Sequence, residues 1–381
     1  MLEEDDQRVP EAGIGFCLSG GGYRAMLFHV GAILRLNEAK LLSQLDRISS
    51  VSGGSITAGV LGMNWNKLDF QPNTPNAGIA TNLNELFVKP IRKLASETID
   101  RMSIVGGLLV PGLSISDIIV NEYRRVLFGD ATLQNLPSDD KGPRFVINAT
   151  NVQTASLVRF SRPYFADYKV GRVIDPEIPL AVAVAASSAF PPVLSPLTLD
   201  INPSDFEVDV KCPLQYVPFT DTMVLSDGGV YDNLGLETVI KRYQTVLVSD
   251  AGGKIDPEPS PAANWAEHSK RILDIIDDQV RNLRKRSLIS DYVAKRCTGT
   301  YWGIRTNIAD YGISGTLPAP HAKTMVLAAT PTRLKALPTS MQNQLMNWGY
   351  AVCDAALRTH MTDILPPGFA APTQFPFPDG V

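Results

Sequence analysis

Long apolar runs are missing from this sequence. No stretch supplies the roughly eighteen consecutive apolar residues of a helical membrane span, so the chain reads as one that does not cross a bilayer. A surplus of positive charge is missing as well: 35 Lys and Arg stand against 39 Asp and Glu, a formal net charge of −4. That balance leaves no basic footprint for a nucleic acid polymer and little electrostatic draw to anionic lipid, so membrane contact has to be mainly apolar. The opening MLEEDDQRVPEAG is acidic where a secretory signal is basic, which makes the cytoplasm the expected compartment. Cysteine is scarce. Cys17, Cys212, Cys297 and Cys353 lie far apart with no CxxC or other metal spacing, and all four read as reduced packing residues. Histidine is scarce too: none of His29, His268, His321 and His360 stands at an obvious strand end, and each reads as structural.

What is present suits a large core. Of 381 residues, 44% are hydrophobic and 19% charged, enough for one big domain or a domain with an extension. The segment GIGFCL, ending at Leu18, reads as a short buried strand, and residues 25–36 as a helix that is apolar almost all round. Residues 47–51 (RISSV) read as a second strand and residues 56–63 as another buried helix, a β-α-β-α order that argues for a parallel sheet covered by helices. Further strands fit residues 145–149, 157–160 and 245–249. The apolar, glycine-rich residues 104–113 read either as a buried loop or as a lid that touches lipid. From 265 to 293 apolar residues recur at helical spacing with charges between them, giving one long amphipathic helix or two joined ones. The basic cluster at 281–286 reads most simply as its solvated face. A last helix over 340–358 precedes a proline-rich end.

Three stretches carry chemistry. LSGGGYRA, residues 18–25, sets three glycines between a strand and a helix, a turn that cradles anions on backbone N–H groups. Gly20, Gly22 and Ala25 also satisfy the dinucleotide fingerprint, yet the second strand runs into Ser52 with no acid there for a ribose, and no Walker lysine follows the glycines. SVSGGS, residues 50–55, places Ser52 between strand and helix with small neighbours, the layout of a nucleophile elbow with Ser50 in place of the first glycine. In a parallel sheet both loops leave the same edge, so the glycine N–H groups can face Ser52. The third stretch, SDGGVYDN, opens an Asp-Gly-Gly turn at Asp227; alone it is ordinary turn chemistry, yet it suits the serine better than any histidine does.

The order and rough separation of SGGGYR, SVSGGS and SDGGVYDN, with AASSAFPPV between the last two, resembles the patatin-like phospholipases over roughly residues 13–248. The resemblance implies an α/β chain with a three-layer α/β/α fold and a mainly parallel central sheet. A catalytic domain would cover residues 13–250, and a helical C-terminal extension, 251–381, would pack on the same core. It also implies a phospholipase A type lipid acyl hydrolase, peripheral at the membrane when active, that cleaves membrane phospholipid with no metal or organic cofactor. By motif, Ser52 is the nucleophile, Asp227 the base, Gly20, Gly21 and Gly22 the oxyanion hole, and Arg24 a contact to substrate phosphate. Two positions depart from the family. Ser19 stands where many members carry Asp, and Ser50 replaces the first elbow glycine, as in cytosolic phospholipases with a VSGGS elbow. An aspartate base needs burial to raise its basicity. Some bacterial members are membrane-degrading effectors of antiviral defence switched on by a cyclic nucleotide, and the length past Val248 leaves room for a small nucleotide activator and for a homo-oligomer. Two rivals remain: a catalytically silent lipid- or partner-binding module, and a nucleotide-binding oxidoreductase built on GGGYRA.

Overall fold

The computed structural model describes residues 9–72, 77–99, 115–191 and 194–381, and the apolar stretch at 104–113 lies outside them. The strands are β1 (Glu11–Leu18), β2 (Arg47–Ser50), β3 (Arg144–Asn151), β4 (Ser156–Phe160), β5 (Tyr164–Asp167), β6 (Gly171–Ile174), β7 (Leu197–Asp200), β8 (Thr222–Asp227), β9 (Tyr243–Asp250) and β10 (Thr298–Gly303). They form one sheet in the order β10-β9-β1-β2-β3-β4-β5-β6, with β8 also on β3 and β7 on β8. The run from β10 to β3 is parallel and the rest antiparallel.

The helices used below are α1 (Gly22–Glu38), α2 (Gly53–Asn64), α3 (Lys89–Ala95), α4 (Ile115–Tyr123), α5 (Leu180–Ser187), α6 (Gly229–Asp232), α7 (Trp265–Val293), α8 (His321–Ala328) and α9 (Thr339–His360). Strand alternation sorts the sheet's side chains into two apolar layers. Phe16, Leu18 and Leu247 point into the main core with α1, α2 and α9, while Cys17, Val246 and Val248 meet Leu234, Leu236, Val239 and Leu288 in a smaller cluster on the other face. Sheet and flanking helices therefore make the three layers that the motif order implies.

Two glycines fix the closest helix pair. A Cβ on Gly31 of α1 would fall on the Met346 carbonyl oxygen, and one on Gly349 of α9 on the Phe28 carbonyl oxygen. The two helices thus meet backbone to backbone, and the C-terminal region covers the first helix of the chain while β10 extends the sheet beside β9.

β3 positions the chemistry. Ile147 pairs with Ser50 of β2 and Ala149 with Asp227 of β8, both on the edge of β3 opposite β4. β2 runs up that edge and β8 runs down it, so their C-terminal ends meet head to head with Asn148 between them. This juxtaposition rests on a non-local antiparallel pairing that the β-α-β-α reading of the first sixty residues does not contain.

Candidate active site

Ser52 occupies the turn between β2 and α2 at φ 53, ψ −121, a left-handed conformation that a residue with a Cβ adopts at a cost. The turn is possible because its neighbours are small. A Cβ on Gly54 would lie 2.5 Å from the Leu18 carbonyl oxygen, and one on Gly53 would strike the Gly22 carbonyl oxygen. Ser50, at the position of the usual first glycine, is fully buried and accepts a hydrogen bond from the Ser55 hydroxyl (2.9 Å), so its hydroxyl is used inside the elbow.

The end of α5 ties nucleophile turn and acid turn together. The Ser187 carbonyl accepts the N–H of Ser52 (3.2 Å) and the N–H of Gly228 (3.2 Å), and the Ala189 carbonyl accepts that of Asp227 (2.9 Å). The Ser187 hydroxyl also accepts the Ser52 N–H (3.0 Å). This is the AASSAF segment. The helix ends at Ser187, early in this block, and the carbonyls that would continue it are turned outward onto the two motif turns. Ser187 lies in that block without a role that its pattern reveals, and Asn148, which donates to the Ser49 hydroxyl (2.9 Å) and the Ser50 carbonyl (3.0 Å), carries no motif signal at all.

Asp227 is buried. Its Oδ1 accepts the Gly229 N–H at 2.7 Å, while Oδ2 accepts no completed hydrogen bond. Burial raises the pKa to about 7; the Gly229 N–H and the neighbouring Ser52 hydroxyl pull it down in part, and the Asp277 charge on α7 pushes it up. An unfilled basic oxygen is thus held next to a serine at the head of a twelve-residue helix, where the dipole favours negative charge.

The glycine loop lies against Ser52: a Cβ on Gly20 would come within 3.1 Å of the Ser52 Cβ. The three glycines are not equivalent. Gly20 donates its N–H to the Asn233 carbonyl (3.1 Å), whereas among the described residues no hydrogen bond within the chain uses the N–H of Gly21, Gly22 or Gly53. His29 braces this loop from beneath. Its Nε2 faces the Ser19 carbonyl (2.9 Å) and must donate to it, so Nδ1 accepts from the Ser249 hydroxyl (2.8 Å); burial holds its pKa down near 4 and the ring neutral. The other three histidines are exposed on α7, α8 and α9.

Arg24, expected at the substrate, is buried. Its guanidinium donates to the carbonyls of Ala251 (3.0 Å) and Thr330 and to the Thr332 hydroxyl (3.0 Å), which makes it a strut from α1 to the C-terminal loops. Burial first, and the charges of Arg305 and Arg281 second, lower its pKa to about 10. The dinucleotide alternative loses a donor in the same place. The Arg333 carbonyl accepts the Tyr23 N–H (3.1 Å), so this N–H of the first turn of α1 is not offered to a pyrophosphate. Among the described residues, no group of three or more His, Cys, Asp or Glu side chains is arranged to hold a metal ion, and no helix is long and apolar enough to cross a membrane.

A family model described as patatin-like phospholipase matches residues 16–240. Among solved structures, human GIVD cytosolic phospholipase A2 is similar at 15% identity and TM-score 0.51, over 94% of this chain and 61% of that one. VipD from Legionella pneumophila is similar at 14% identity and TM-score 0.36, over 92% of this chain and 67% of that one. The human structure shares the fold, and this chain spans 61% of its length. No curated protein matches the sequence.

Proposed function

The chain belongs to the patatin-like phospholipase family, and from that premise we propose that it is a serine acyl hydrolase cleaving ester bonds of phospholipids through Ser52 and Asp227. The observation that carries the reading is the buried Asp227 with its unfilled Oδ2 beside the strained Ser52. Asp227 takes the hydroxyl proton as Ser52 Oγ bonds to the ester carbonyl carbon. The oxygen that becomes negative is received by the N–H groups of Gly21, Gly22 and Gly53, each such donor being worth on the order of 10²-fold in rate. Collapse breaks the bond to the leaving alcohol, which takes the proton from Asp227. Water then gives a proton to Asp227 as its oxygen bonds to the acyl carbon, and Asp227 passes that proton to Ser52 Oγ as the acyl bond breaks and the fatty acid leaves. Gly20 serves by its size, since Asn233 and Ser52 leave no room for a side chain.

Two measurements test this. On a short soluble ester, Ser52→Ala and Asp227→Asn are each expected to lower turnover by on the order of 10³-fold or more, with the double variant no worse, because nucleophile and base act as a unit. A fluorophosphonate is expected to label Ser52 and to do so slowly in Asp227→Asn. Near-normal turnover of Asp227→Asn, or label on another serine, would refute the dyad. No turnover of any ester by the wild type would leave the silent lipid-binding module standing. The rate should rise with pH through an acid limb near 7, as Asp227 loses its proton.

A further inference from the structure

Helix α7 wears its amphipathic pattern inside out. Of its 29 residues only Arg281 and Leu288 are buried, and the side facing the protein is the charged one. Arg281 holds the Asp250 carboxyl low and bonds Asp278 at 3.0 Å. Arg284 donates to Glu237 (3.0 Å) and to the Tyr231 carbonyl (3.3 Å), and the Lys285 ammonium lies 4.3 Å from the Tyr301 ring centroid. Most of the basic cluster is therefore a docking face, not the solvated face expected from sequence, because the acids ending β9 and α6 need counter-charges. The outward side carries Trp265, Ile272, Ile276, Val280 and Leu283 in one stripe along the helix. Trp265 is 83% exposed, Leu283 58%, Ile276 54% and Ile272 43%. Large apolar residues scattered singly on a surface are ordinary, whereas a continuous row needs an occupant.

We propose that this stripe lies on a lipid bilayer, with α7 in the plane of the interface next to the Asp227 turn; the inference rests on the phospholipase reading of that turn. Position favours lipid as the occupant. Arg284 bonds the Tyr231 carbonyl in α6, the helix that follows Asp227, and two further exposed apolar side chains, Val230 and Phe190, come from segments that adjoin Asp227. Chemistry favours it too. Four of the five acids of α7 are already engaged: Asp274 with Lys270 (2.6 Å), Asp278 with Arg281, Asp291 with Arg296 (2.7 Å) and Glu267 with the cap Asn264 (2.8 Å). Beside the stripe stand His268 and Arg286; among the described residues Arg286 bonds only through Nε to the Asn282 carbonyl (3.3 Å), which leaves its guanidinium for a headgroup phosphate. A tryptophan at one end of such a helix sits well at the headgroup boundary. Two copies paired antiparallel through the stripe would instead set the His268 and Arg286 flank against its own symmetry mate, since a two-fold axis between antiparallel helices keeps each flank on its side.

The test uses the full chain and vesicles of phosphatidylcholine, plain or doped with phosphatidylglycerol. The double variant Ile276→Glu/Leu283→Glu should keep the wild-type melting temperature and the wild-type rate on a short soluble ester, because both side chains are exposed, yet lose at least tenfold in vesicle co-sedimentation. Ile276→Trp should gain co-sedimentation. Unchanged vesicle binding of the double variant overturns the proposal. So does a wild-type dimer in solution that the double variant converts to monomer, which would make the stripe a subunit interface. Vesicle binding is read without turnover, so an inactive wild type that still co-sediments through this stripe would sink the hydrolase reading and leave the surface assignment intact.

Discussion

Ser52 and Asp227 both hold states that folding alone would avoid. Ser52 stands at φ 53, and strain of this kind is worth on the order of 1–3 kcal/mol to a residue with a Cβ. Ser52→Ala keeps the strain and Ser52→Gly releases it, so the glycine variant is expected to melt above the alanine variant, both being inactive. Equal melting temperatures would mean that the turn relaxes without glycine. Asp227 is a buried carboxyl whose pKa rises from 3.8 to about 7. Between those values the unfolded chain has lost the proton and the folded one keeps it, so stability falls as pH rises through the window and the full penalty is present above about 7. Asp227→Asn removes the charge. It should therefore be more stable than wild type at pH 8, by on the order of a few kcal/mol, with the gain fading toward pH 4. Chemical denaturation at the two pH values checks this, and a gain independent of pH would mean that burial of the charge is not its cause.

Elements bring these residues together through contacts that small side chains permit. α1 and α9 touch at Gly31 and Gly349, where a Cβ has no room. In an exposed helix Gly→Ala stabilises by about 1 kcal/mol. Here the sign should reverse: Gly349→Ala is expected to destabilise by about 3 kcal/mol, since the obstruction is backbone and cannot turn aside. The midpoint of urea unfolding decides between the two signs. The elbow is built the same way: Gly53 and Gly54 let α2 start directly against the glycine loop, a Cβ on Gly53 falling 2.9 Å from the Gly22 nitrogen. His29 is the counterpart on α1, a neutral ring whose two nitrogens clamp the ends of β1 and β9 under that loop.

At the scale of the molecule, the C-terminal third is part of the main core. Leu345, Met346, Trp348 and Val352 of α9 are fully buried in it, the Trp348 indole donates to the Ile304 carbonyl (2.8 Å), and Arg24 reaches from α1 to the loops at 251 and 330. A chain ending at residue 338 is accordingly expected to show no cooperative thermal transition; a cooperative melt of that fragment would mean that residues 9–338 hold a core of their own. Much of this architecture was legible beforehand. Local pattern sufficed for β1, β2, β3, β4, β9, α1, α2, α7 and α9 to within a few residues, because each is an apolar run bounded by turn residues. It also determined the three motif turns, because glycine and serine between a strand and a helix leave few alternatives. Tertiary structure alone decided the rest. That Asp227 meets Ser52 depends on β8 entering β3 head to head with β2, a pairing between residues far apart in sequence with no local signature. That Arg24 is a strut, that Gly20 has spent its N–H on Asn233, and that α7 turns its charges inward are likewise matters of what each group finally faces. Periodicity fixes which residues share a face of an element, and only packing of the whole chain fixes where that face points.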